Sequence, residues 1–92
     1  MTSNLFDLTG KVALITGSSK GIGKAIAEAM AAHGAQVVIS SRKGDVCEEV
    51  AAAINAANPD GPGRAVAIPA NIGRKDEIER LVAETRRQLG RI

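Results

Sequence analysis

The chain has 92 residues, enough for one small domain and no more. Its 45% hydrophobic and 24% charged residues are ordinary for a globular protein, and a net charge of +2 with a single aromatic residue argues against nucleic acid as a partner. No apolar run approaches the roughly 20 residues that cross a bilayer; the one cysteine, Cys47, excludes an intrachain disulfide or a cysteine zinc site and, without a secretory leader, points to the cytoplasm.

Lys11-Val12-Ala13-Leu14-Ile15 is a short continuous apolar run, as expected of a parallel strand covered on both faces. It gives way at Thr16-Gly17-Ser18-Ser19-Lys20-Gly21-Ile22-Gly23 to a helix whose apolar stripe is Ile22, Ala25, Ile26, Ala29 and Met30. Gly34 is read as the left-handed residue that ends this helix, with His33 a solvent-facing cation in its last turn. Gln36–Ser40 is the second strand, rich in β-branched residues.

Asp45-Val46-Cys47-Glu48 matches a capping box, and Val46, Val50, Ala53, Ile54 and Ala57 form the expected buried stripe of a second helix. The Asn58–Gly63 segment breaks that helix, and Ala65–Pro69 is the third strand. From about Arg74 to Leu89 a third helix places Ile78, Leu81, Val82, Thr85 and Leu89 on one face, with Asp76 and Arg80 spaced to pair at i,i+4. Arg86, Arg87 and Arg91 read as a solvated helix end rather than a binding patch. The chain contains no internal repeat.

Strands alternating with helices imply right-handed crossovers and a parallel sheet in the order 3-2-1. The fold class is therefore α/β, the β-α-β-α-β-α half of a doubly wound (Rossmann) fold. Residues 1–92 are expected to be a partial domain that continues in the intact protein, because the first strand would otherwise present an open apolar edge.

The loop between the first strand and first helix carries the chemistry. Three glycines at such a turn let backbone approach a ligand, and free N–H groups with the helix macrodipole favour an anion. A Walker A loop is excluded, because Ser18 stands where its first Gly belongs and Ala25 replaces the Ser or Thr that would hold magnesium. The G-x-G-x-x-G fingerprint does not fit either, since the spacing here is G-x-x-x-G-x-G. With Thr16 and Ile22 that spacing resembles the T-G-x-x-x-G-I-G motif of short-chain dehydrogenases/reductases. The opening Leu8–Gly17 and the closing Leu89-Gly90-Arg91-Ile92 are similar to the same family.

The resemblance implies an oxidoreductase binding a nicotinamide dinucleotide. Gly17, Ser19, Lys20, Gly21, Ile22 and Gly23 would hold its pyrophosphate region. Family members preferring NAD usually carry an acid at the end of the second strand. Ser41, Arg42 and Lys43 stand there instead; with Lys20 they suit a 2′-phosphate, so NADP(H) is expected over NAD(H). At the end of the third strand Asn71 replaces the family's common Asp. Its amide oxygen can accept from the adenine amino group, with Ile72 packing on the ring; a plain turn role for Asn71 is the competing reading.

The family's chemistry resembles general acid catalysis by the Tyr of a Y-x-x-x-K motif, helped by a Ser and an Asn further along. This chain has no Tyr and no catalytic residue that can be carried over, so by itself it is expected to be inactive; no metal ligand is expected either. The expectation is the cofactor-binding portion of an enzyme that moves hydride between NADPH and a carbonyl or alcohol substrate, with no nucleic acid or membrane partner and homo-oligomeric when intact. The alternative is a naturally short, non-catalytic nucleotide-binding or interaction module.

Overall fold

The structure, a computed structural model, describes residues 7–17 and 20–90. The elements follow as β1 (Val12–Thr16), α1 (Gly21–Ala32), β2 (Gln36–Ser40), α2 (Gly44–Ala57), β3 (Arg64–Ala67) and α3 (Lys75–Leu89). Both strand pairs are parallel, in the order β1-β2-β3, which is the expected 3-2-1 arrangement. Val38 of the central strand pairs with Leu14 on one side and Val66 on the other.

Side chains of β2 alternate between two cores, as strand geometry requires. Val37 and Ile39 join Ala27, Ala31, Val50 and Ile54 beneath α1 and α2. Val38 faces the opposite layer with Leu81 of α3, Ile68 and Ala70. The molecule therefore has a helix–sheet–helix sandwich whose central strand is fully covered.

The helix faces depart from the sequence expectation in instructive ways. In α1 the residues buried against the sheet are Ala27 and Ala31, whereas Ile22 and Ile26 are 80% and 46% exposed. Small side chains let this helix lie close to the strands, so Ile22 and Ile26 of the expected stripe turn aside, while Met30 packs half-buried against the core. Cys47 and Ala51 replace the expected Ala53 and Ala57 in the buried face of α2; Ala53 and Ala57 are exposed. In α3, Leu81 and Thr85 are buried as expected, while Ile78 is exposed.

Four local expectations are corrected. No capping box forms at Asp45, because the N-cap is Lys43, two residues earlier, and it makes no side-chain capping bond. Arg80 pairs with Glu77, not Asp76; Asp76 pairs with Arg74. The third strand begins at Arg64 and ends at Ala67. β1 is half-buried rather than covered on both faces, because among the described residues it pairs only with β2.

Gly34 does adopt positive φ, and the turn it makes is overlaid by the segment before β1: the Leu8 N–H donates to the His33 carbonyl at 2.7 Å. His33 is exposed, as expected. Arg86 and Arg87 lie exposed in the last turn of α3; Arg91 and Ile92 fall outside the described residues. No helix among the described residues is long and apolar enough to cross a membrane.

Candidate functional site

Because the strands are parallel and in register, their carboxyl ends converge on one edge of the sheet. Thr16 is level with Ser40, and Ile39 with Ala67. Beyond β3 the pairing continues through loop residues: the Ile68 N–H donates to the Ile39 carbonyl at 3.1 Å and the Ala70 N–H to the Ser41 carbonyl at 2.9 Å. These bonds carry Asn71 to the side of Ser41 and Arg42. An open sheet of this kind binds ligands in the crevice at this edge.

Gly17 and Gly21 frame the first loop, each with φ of +66°. L residues with a Cβ rarely adopt that backbone, so the turn requires glycine. A Cβ at either position would meet no described atom within 4 Å, so open space lies before both. Lys20 is the N-cap of α1 but makes no side-chain capping bond, and no acid occupies the first turn. Helix N–H groups and dipole therefore remain available to an anion. Ile22 and Gly23 continue into that first turn, and Ser18 and Ser19 lie outside the described residues.

A cavity of about 410 Å³ is lined by Gly17, Lys20, Ser41, Arg42, Lys43 and Val46. Its polar side chains are three cations and a hydroxyl, with no carboxylate among them. That donor set fits a phosphate. The hydroxyl is locally organised: Ser41 Oγ accepts the Lys43 N–H at 3.2 Å and lies 3.2 Å from Sγ of the buried Cys47. Among the described residues no cluster of His, Cys, Asp and Glu could hold a metal ion.

Next to it a cavity of about 330 Å³ touches Gly17, Ser41, Arg42, Ala70, Asn71 and Ile72. Ile72 is 53% exposed, which leaves apolar surface for a flat ring. Asn71 Oδ1 accepts the Gly73 N–H at 2.9 Å, so the side chain closes a turn and its oxygen orientation is set by that donor. One lone pair of that oxygen remains to accept a further bond. The turn role and the ligand role are thus compatible.

Sequence reasoning missed two residues behind this loop. Glu77, in the first turn of α3, accepts the Asn71 N–H at 3.4 Å and bonds from Nε and Nη2 of Arg80 at 3.3 Å each. Arg80 also donates to the Pro69 carbonyl. Hydrogen bonds from Arg80 and Asn71 hold the Glu77 carboxyl below its ordinary value. The Glu77–Arg80 spacing of i,i+3 was the available signal.

Of the sequence-predicted residues, the structure brings Gly17, Lys20, Ser41, Arg42 and Lys43 to one cavity, and Asn71 and Ile72 to its neighbour. Gly21, Ile22 and Gly23 begin α1 but do not line either cavity.

A family model described as short chain dehydrogenase matches residues 11–92. An NAD-dependent glycerol dehydrogenase of Listeria innocua is 44% identical over 89% of this chain, which spans 30% of that protein. A 3-oxoacyl-[acyl-carrier-protein] reductase of Synechocystis is 40% identical over 92% of the chain and 33% of its own length. The crystal structure of a hydroxysteroid dehydrogenase from Escherichia coli superposes with a TM-score of 0.90 at 34% identity, over 99% of this chain and 37% of that one. The chain thus spans about a third of the length of the curated relatives it matches.

Proposed function

Since the chain belongs to the short-chain dehydrogenase family, we propose that it is the NADP(H)-binding portion of an oxidoreductase acting on a carbonyl or alcohol substrate. The observation that carries this reading is the cavity at the ends of β1 and β2, whose polar lining is Lys20, Ser41, Arg42 and Lys43. A 2′-phosphate needs donors, and this cavity supplies three cations and a hydroxyl; it lacks the carboxylate that would accept from a ribose hydroxyl and repel the phosphate.

In this reading the turn at Gly17 and Gly21 and the first N–H groups of α1 hold the pyrophosphate, with Ser19, Ile22 and Gly23 beside it. Arg42 and Lys20 neutralise the 2′-phosphate, and Ser41 donates to it. Asn71 accepts from the adenine amino group while Ile72 covers the ring. When bound, the dinucleotide would give the hydride to a carbonyl or take it from an alcohol; this chain's residues bind and orient its adenosine half. The substrate-facing acid and the rest of the sheet would come from outside the third of the relatives' length that this chain spans. Cytoplasmic location and a homo-oligomeric intact enzyme complete the proposal.

The relative named as NAD-dependent favours a second reading, in which NAD(H) is the ligand. Calorimetric titration with 2′,5′-ADP and 5′-ADP separates the two. The proposed reading expects 2′,5′-ADP to bind at least tenfold tighter, and Arg42→Ala to remove about ten- to a hundredfold of that affinity while leaving 5′-ADP nearly unchanged. Equal affinities in the unmodified protein, or an undiminished preference in the variant, would reject it.

A further inference from the structure

The loop from Pro69 to Asn71 ends β3 and carries the residue assigned above to the adenine, yet its conformation is held from α3. Arg80 donates to the Pro69 carbonyl, Glu77 accepts the Asn71 N–H at 3.4 Å, and the two side chains join through a two-pronged contact at 3.3 Å. Together they grip the loop on both sides of Ala70, which is itself buried and bonded to the Ser41 carbonyl. The cavity of about 410 Å³ lined by Arg42, Pro69, Asn71, Glu77 and Arg80 places this pair directly behind the adjoining Asn71–Ile72 cavity.

We infer that Glu77 and Arg80 are positioning residues for base recognition, fixing Asn71 so that the site distinguishes adenine from a base with a carbonyl in place of the amino group. The inference rests on the assignment of Asn71 to the adenine made above. The Gly73 N–H pins Asn71 Oδ1 as an acceptor, so an amino group is matched and a carbonyl oxygen meets like charge. That discrimination requires the carboxamide to stay where it is. A freely moving loop would let Asn71 turn its NH₂ toward a carbonyl and accept both bases. The pair is partly exposed, with side-chain exposures of 47% for Arg80 and 31% for Glu77, so its own net attraction is small. Its effect is geometric, through the two backbone groups it holds.

The test measures binding of NADPH and of its hypoxanthine counterpart by calorimetry, in the unmodified protein and in Asn71→Ala, Glu77→Ala, Glu77→Gln, Arg80→Ala and Arg80→Lys. The unmodified protein is expected to prefer the adenine form at least fivefold, and Asn71→Ala to abolish that preference. Glu77→Ala and Arg80→Ala should cut it at least threefold. Glu77→Gln and Arg80→Lys, each keeping one bond to the loop, should fall between. The preference for 2′,5′-ADP over 5′-ADP should stay within twofold throughout, which a general loss of structure would not permit. Intact base preference in Glu77→Ala and Arg80→Ala, or parallel loss of both preferences, would overturn the inference while leaving the Asn71 assignment standing. Absence of any base preference in the unmodified protein would overturn that assignment and the inference with it.

Discussion

Gly63 shows how a single hydrogen atom in place of a methyl group can decide a packing arrangement. It is buried in the turn between α2 and β3, where a Cβ would collide with the carbonyl of Ala31 near the end of α1. Neither atom is the tip of a flexible side chain, so backbone would have to move. Gly63→Ala is expected to destabilise by about 1–3 kcal/mol, the usual cost of overpacking a close contact. Gly61, two residues earlier, has open space around it and provides the control: its Ala variant should unfold at the unmodified urea midpoint. A shared midpoint for both variants would show that the turn does not approach α1 as described. The next residue, Arg64, wraps its guanidinium around the same turn, donating to the carbonyls of Asn58, Gly61, Gly63 and Pro59. Sequence alone reads this segment only as a break between elements. The collision arises from Ala31, which is distant along the sequence, whereas the wrapping is local to the turn.

At the scale of elements, the outer edge of β3 is managed by a side chain from α2. The Asn55 carboxamide donates to the Ala65 carbonyl at 3.0 Å and accepts the Ala65 N–H at 2.8 Å, as a neighbouring strand would. Both groups are thereby satisfied at a strand edge that soluble proteins must protect. Asn55→Ala leaves them without that partner and is expected to cost about 1–3 kcal/mol by chemical denaturation. Asn55→Asp, which keeps the acceptor and loses the donor, should lie between the two; an unchanged midpoint in the Ala variant would remove this role. The helices illustrate the limits of periodicity. A stripe of apolar residues announces a helix, but α1, packed closely on the sheet, buries two alanines. These are Ala27 and Ala31, and Ile22 and Ile26 are left facing outward.

For the whole molecule, the two sides of the sheet are not equivalent. α2 and α3 cover opposite faces of β2 and β3, while β1 stays half-buried and, among the described residues, pairs on one side only. The outward apolar residues of α1 lie on the element that follows this strand. A 92-residue polypeptide with such an edge is expected to self-associate as its concentration rises, by edge pairing and apolar contact. Sedimentation velocity over a hundredfold concentration range checks this, and Ile26→Glu should shift the distribution toward monomer. Monomeric behaviour of the unmodified chain across that range would show that neither surface is adhesive.

The alternation of strands and helices, their parallel order and the dinucleotide motif were all legible in the residues themselves. Each depends on local constraints: β-branched runs, a helical period, and glycines at a turn that needs positive φ, as Gly17 and Gly21 do. The grouping of Lys20, Ser41, Arg42 and Lys43 followed too, since parallel strands bring their carboxyl ends to one edge. Tertiary structure alone settled which helix face was buried, how Asn55 closes β3, and that Glu77 rather than Asp76 meets Arg80 behind Asn71. These outcomes depend on how closely elements approach and on which backbone groups lie within reach across the fold. Neither quantity is carried by spacing along a chain.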